Sequence, residues 1–480
     1  MVIRGLALAL LTLLALACSR AVAPSPPGAR PAESRDMRLV GHDGLQARSA
    51  YQPVIHRQGE RWIAYVGHHG GTRLNPLTGQ MELNGTSIVD VTDPARPRYL
   101  HHLPGAAGEA EAGGASMVRL CDGATLPRGA RGKTYLLRTL GNLSHQVWDV
   151  TDPARPAFVV TVIGGLGQTH KNWWECDTGI AYLVSDGRPQ GWRTLRMTKI
   201  YDLSDPAQPR FIRDFGLPGQ EPGSTGTAPE GVHGPIAYKN RVYFAYGTGA
   251  AGALQIVDRD RLLAGEPGVA DRLAPTRENL LYPQIGRLDI SPAWGGHTSY
   301  PILGLPIADW AGNLGQSRDY VLLVSESLRN ECQEFRQLSF MVDVTDATRP
   351  FSVSTFQVPA QPGDFCARGG RFGPHSSHES FTPIYYGRLV FIAYFNAGVR
   401  AVDIRDPFRP AEVAYFIPAV TAATAPRCVK VDGADRCKVA IQTNNVEVDD
   451  RGFIYLADRA DTGLHIVELT GTARGISRLP

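Results

Sequence analysis

One short pattern recurs along the whole chain and restricts its fold more than any other feature. SIVDVTDPARP ends at Pro97, and QVWDVTDPARP, KIYDLSDPAQP, LQIVDRDRL, FMVDVTDATRP, VRAVDIRDPFRP and LHIVELTG follow it. An acid takes the same place in each copy: Asp90, Asp149, Asp202, Asp258, Asp343, Asp403 and Glu468. Most intervals are 53 to 65 residues, and the one of 85 between Asp258 and Asp343 must hold an insertion. Each copy has an alternating apolar run, an Asp-Pro turn and a second β-rich stretch such as RPAFVVTV. Asp at a turn start accepts from its own downstream backbone, and Pro fixes φ at the next position. A further apolar run lies upstream of each copy, as in RWIAYVG, RVYFAYG and LVFIAYFN. About four strands per unit and seven units predict an all-β chain, a seven-bladed β-propeller. The 52 Gly and 35 Pro suit so many turns, and a net charge of +3 excludes a polybasic nucleic-acid binder.

These units resemble the LVIVD-repeat family of bacterial exported propellers, whose namesake strand is seen here as Leu254-Gln255-Ile256-Val257-Asp258. The resemblance spans residues from about 37 to 470. It implies the fold and leaves the chemistry open, because propellers serve both as enzymes and as docking platforms. The last unit lacks a fourth outer strand, whereas Met37-Arg38-Leu39-Val40-Gly41-His42 reads as an orphan copy of one. That strand is expected to pair onto the last blade and close the ring, removing an exposed edge.

Residues 1–17 read as a signal peptide, with Arg4 at the start, an apolar run from Leu6 to Leu16, and small residues before Cys18. Ala15-Leu16-Ala17-Cys18 resembles the lipobox of bacterial lipoproteins, which implies lipidation at Cys18, and Ser19 after it implies the outer membrane. Residues 18–36 then form a flexible tether, 37–472 the propeller and 473–480 a C-terminal tail. The expected location is the periplasm or cell surface, with membrane contact through the anchor alone and a monomeric state. Six cysteines remain, an even number suited to disulfides in an exported chain. Cys428 and Cys437 flank a hairpin-turn composition, and Cys121–Cys176 and Cys332–Cys366 are the other expected pairs.

Aligning the units places His170, His233, His297 and His375 (or His378) at the start of successive innermost strands, with Tyr51, Ser116 and Asn444 at the same place in the others. Convergent imidazoles suit a transition metal, here Cu or Fe. Glu230, Glu379 and Glu447 lie nearby as candidates to orient the rings. In outline the arrangement resembles carotenoid-cleaving oxygenases, with a four-His iron centre. It also resembles propeller copper enzymes such as nitrous oxide reductase, whose paired histidines His68-His69 resemble, although here the pair is expected in a loop. Two other readings stand beside the metal. WD-repeat propellers carry a structural Gly-His resembling Gly296-His297, in which the turn Asp would be the partner, and a metal-free His cluster would bind an anion. Glycine-rich loops after the second strands read as a mouth for a small polar ligand or an envelope protein's loop. The apolar segment Pro301–Leu314 is expected to form a cap or lid. The function expected is ligand binding at a His-lined axial face, with Cu- or Fe-dependent oxidoreduction if the chain is catalytic. A non-catalytic scaffold that docks a protein or polysaccharide is the alternative.

Overall fold

A computed structural model describes residues 29–306, 316–361 and 363–479. Residues 1–17, expected as a signal peptide, Cys18 and most of the expected tether lie outside the described residues, as does part of Pro301–Leu314. The chain is all-β. Four four-stranded antiparallel sheets run in chain order from Val118–Asp122 to Ala157–Ile163, Thr169–Trp174 to Arg210–Phe215, Val232–Tyr238 to Gln284–Asp289, and Thr298–Pro306 to Phe351–Phe356. Before them, Ala50–Gln58, Arg61–His69, Gly85–Asp90 and Arg98–Pro104 form a similar sheet, with Gly114–Ala115 added beside His68 and His69. The remaining strands form a nine-stranded sheet in two halves, joined at the single pair Phe395–Thr443.

The recurring acids mark equivalent places in three dimensions. A register shift just before each one bends the pairing of third and fourth strands, between Ile88 and Val89, Val147 and Trp148, Ile200 and Tyr201, Ile256 and Val257, Met341 and Val342, and Ala401 and Val402. The acids also cap their turns as the sequence requires. Asp90, Asp149, Asp202, Asp343 and Asp403 accept from the backbone N–H two residues on. Asp258 instead caps the helix Arg259–Ala264, accepting from the Arg261 N–H.

Met37–Asp43 pairs antiparallel with Gly463–Leu469, and its shift between Leu39 and Gly41 falls opposite Ile466 and Val467, just before Glu468. Only glycine fits at 41, because a Cβ there would lie 1.9 Å from the Pro94 carbonyl oxygen. The expected boundary at residue 37 is too late, however. Glu33–Arg35 adds to the edge strand Ala411–Ile417, and Arg35–Glu412 and Arg368–Glu33 ion pairs hold it there. An unpaired sheet edge gives the end of the tether hydrogen bonds that outweigh its polar composition. The tail boundary shifts as well: the short helix Gly471–Arg474 crosses residue 472, with Ala473 buried.

Successive first strands lie side by side. Ala50–Gln58 contacts Val118–Asp122 and Thr443–Val448, and Thr169–Trp174, Val232–Tyr238, Thr298–Pro306 and Phe372–Ser377 continue the series. Apolar side chains fill the space between neighbouring sheets. Leu137 and Val147 meet Trp174, Ala181 and Leu183, and Ala64, Val66 and Val89 meet Tyr455, Leu464 and Ile466. Burying both faces of these sheets explains why their strands read as nearly continuous apolar runs. Disulfides join Cys121 to Cys176, Cys332 to Cys366 and Cys428 to Cys437. No helix among the described residues is long and apolar enough to cross a membrane.

The insertion contains helices at Arg259–Ala264 and Arg277–Leu281. Pro301 to Pro306 belong to a strand paired with Ser317–Val324, with Ile302 and Leu305 buried in the core. In its described part, Pro301 to Pro306, the segment expected as a lid is an interior strand, and its remainder lies outside the described residues.

Candidate metal centre

Backbone irregularity aims the side chains of this site. The pairing of first and second strands shifts register between Ala50 and Pro53, Thr169 and Asn172, Val232 and Gly234, Phe372 and Ser376, and Thr443 and Asn445. Tyr51, His170, His233, His375 and Asn444 all fall inside these shifts, where a bulge redirects a side chain from its strand face. His297 directly precedes Thr298–Pro306, its N–H donating to the Val324 carbonyl at 2.7 Å.

The rings close a circle. Tyr51 Oη lies 3.4 Å from His170 Nε2, and His170 Nε2 lies 2.7 Å from His233 Nε2. The His233 and His297 rings stack at 3.4 Å, His297 and His375 are 4.3 Å apart, and His375 returns to Tyr51 at 5.7 Å. Two carboxylates flank the circle. Glu326 lies 3.9 Å from His297 Nε2 and 3.6 Å from His375 Nε2, and Glu111 lies 3.6 Å from His170 Nδ1. Arginines hold both acids: Arg371 meets Glu326 at 2.8 Å and Arg196 meets Glu111 at 2.7 Å. The ligand atoms of His297, Glu326 and His375 all fall within 4.8 Å of one another, a spacing that could hold a metal ion.

Burial keeps the imidazoles neutral. It pulls His170 down to about 3 and holds His233, His297 and His375 well below the ordinary value. A neutral imidazole has one nitrogen free to accept. His375 Nδ1 donates to the Asn444 carbonyl at 2.5 Å, which leaves the Nε2 lone pair facing the circle. His233 Nδ1, His297 Nε2 and His375 Nε2 are buried without a hydrogen-bond partner. Leaving such atoms unpaired costs about 1–3 kcal/mol each, and a metal ion held by His297, Glu326 and His375 would satisfy His297 Nε2 and His375 Nε2.

The structure brings together all four expected ligands and adds His69, whose ring lies 4.6 Å from Tyr51 and whose Nε2 is also unpartnered. It separates the other candidates. His68 and His69 end the strand Arg61–His69 and do not form a loop, because Gly114–Ala115 extends the pairing there. Alternation along that strand turns His68 away to Ser87 Oγ at 2.8 Å. His378 packs on Tyr300 and Phe391, and its Nδ1 accepts from the Phe391 N–H at 3.1 Å. Glu230 is exposed, with its carbonyl accepting from Gln220. Glu379 forms ion pairs with Lys171 and Arg119, and Glu447 accepts from the Ser380 and Val448 N–H groups. Asn444 accepts from His375 through its carbonyl and donates through its amide to the Tyr51 carbonyl at 3.4 Å. The turn aspartates are occupied with their own loops, so the WD-like partnership for His297 is absent. Its Nδ1 meets Thr298 Oγ1 at 2.9 Å.

Glu326 and Glu111 escaped the sequence reading as flanking groups. Glu326 ends the run YVLLVSE, where position after the second strand was the available signal. Glu111 sits in a short 3-10 turn, Ala110–Ala112, and no periodicity marks it. A cavity of about 680 Å³ opens beside the circle, lined by His69, Glu111, Arg371, Arg427, Arg459 and Asp461 among others. No known family profile matches this chain, and no curated protein is significantly similar to it.

Proposed function

We propose that the chain is an exported, lipid-anchored, seven-bladed β-propeller whose axial histidines hold Cu or Fe, and that it acts as an oxidoreductase on a small polar ligand. The circular series of first strands, the repeated bulge before each recurring acid and the pairing of Met37–Asp43 with Gly463–Leu469 support the closed ring. On this reading the first strands surround the axis and the chain is a distant LVIVD-like propeller. One observation carries the metal: His233, His297 and His375, from separate sheets, converge with buried nitrogens that no protein group satisfies. His170, His233, His297 and His375 would be the ligands, and Glu326 is a fifth candidate. Imidazole donors suit Cu and Fe, and the bound ion would supply electron transfer to the ligand.

Elemental analysis of protein isolated from the periplasm tests this reading. The expected result is stoichiometric Cu or Fe that disappears in a His233→Ala/His297→Ala variant. Protein that stays metal-free after incubation with either ion would refute it.

A further inference from the structure

The charges around the cavity do not balance. Arg73 pairs with Asp461 at 3.0 Å and Arg371 with Glu326 at 2.8 Å, and Arg196 takes up Glu111. Arg459 and Arg427 line the same cavity, as does the carboxylate of Glu109, yet among the described residues neither arginine has a carboxylate within ion-pair distance, so the arginines still outnumber the acids. Arg427 Nη2 donates to the Arg459 carbonyl at 2.7 Å, which draws the two side chains to one wall. Arg459 is only 8% exposed, with its guanidinium 4.6 Å from the Phe395 ring centroid. Arg427 is half-buried and Arg459 buried, and Asp458, Asp461 and Glu326 act on them only from beyond contact distance; a desolvated cation without a directly paired carboxylate is expensive.

The wall is also built to stay in place. Arg427 belongs to the hairpin Pro426–Val431 and Ala434–Val439, which Cys428–Cys437 staples and Asn330 anchors through a 2.9 Å bond to the Cys428 carbonyl. Rigid arginine forks recognise carboxylates and oxyanions in two-point fashion.

We propose that this cavity binds a small organic carboxylate or inorganic oxyanion through Arg459 and Arg427, beside His69 and the histidine circle. The ligand of the centre is therefore an anion. Its role as substrate rests on the metal reading above, whereas the anion site stands on the arginines alone.

The test uses the full protein after EDTA treatment, titrated with malonate and with sulfate at constant ionic strength maintained by chloride, with calorimetry and melting temperature as readouts. Saturable binding of either anion is expected, weakened about tenfold or more in Arg459→Gln and in Arg427→Gln. Binding should be unchanged in Arg155→Gln, an exposed outer position. If Arg459→Gln fails to fold by circular dichroism, Arg427→Gln decides. Absence of saturable binding to both anions, or equal binding in the arginine variants, overturns the proposal. Because metal is removed first, anion binding by a protein that never takes Cu or Fe would sink the metal centre and leave this site standing.

Discussion

His170 and His233 are 63 residues apart in sequence, on the first strands of neighbouring sheets, yet their Nε2 atoms lie 2.7 Å apart. Two neutral ring nitrogens approach so closely when one donates to the other. The contact therefore joins two repeat units at one chemical centre.

Histidines inside and outside the circle should respond differently to substitution. His102 donates through Nε2 to the Leu83 carbonyl at 3.0 Å and meets Ser87 Oγ at 3.4 Å. His102→Leu strands these partners and should cost about 1–3 kcal/mol in urea unfolding. His297→Leu strands only the Thr298 hydroxyl, its other ring nitrogen having no partner, so the metal-free protein should lose about 1 kcal/mol, less than His102→Leu, while its metal content is lost.

Disulfide removal should separate stability from site access. Cys121–Cys176 closes 55 residues and Cys428–Cys437 only 9. On the chain-entropy account the first contributes about 4 kcal/mol and the second about 2.7 kcal/mol. Paired Cys→Ser variants measured by chemical denaturation should keep that order. The Cys428→Ser/Cys437→Ser protein should also weaken anion binding, since its hairpin carries Arg427.

Truncation tests the closing strand. Removing residues 1–36 deletes Glu33–Arg35 and its ion pairs with Glu412 and Arg368, which should lower the melting temperature by a few degrees in a protein that still folds. Removing 1–43 exposes the Gly463–Leu469 edge and should give aggregated material by gel filtration. Soluble, cooperatively melting protein lacking residues 1–43 would contradict the closing role.

Acid should destabilise the metal-free protein through histidines away from the circle. Burial pulls His102 and His465 down to about 3 and His145 to about 4. Each folded value lies below that of the unfolded chain, about 6.5. Their contribution is complete above pH 6.5 and is lost as pH falls toward 3–4, at about 1.4 kcal/mol per pH unit for each ring. Burial raises Glu447 to about 7 and Asp458 to about 6, and these act oppositely, losing stability as pH rises through those values. The three rings outnumber the two acids, so melting temperature should fall from pH 6.5 to 4. A flat or rising profile would contradict this balance.

Much of the fold could be read from the chain because its signals are local. SIVDVTDPARP states an apolar strand, its bulge-bearing acid and its turn within eleven residues, and the structure repeats that arrangement at Asp90, Asp149, Asp202, Asp343 and Asp403. The Cys428–Cys437 staple was equally local. Glu33–Arg35 was missed because an edge pairing with Ala411–Ile417 leaves no mark on the shorter strand.

Sequence alone determined the repeating unit, the Cys428–Cys437 pairing and the four histidines at equivalent positions, since each depends on periodicity or short range. Only the tertiary structure decided which acids flank those histidines, that Glu230 faces solvent, and that Arg427 and Arg459 share a wall 32 residues apart in sequence. These relations depend on how separate sheets and their connecting loops meet. Long-range packing and the balance of buried charge fix that meeting, and no local pattern encodes it.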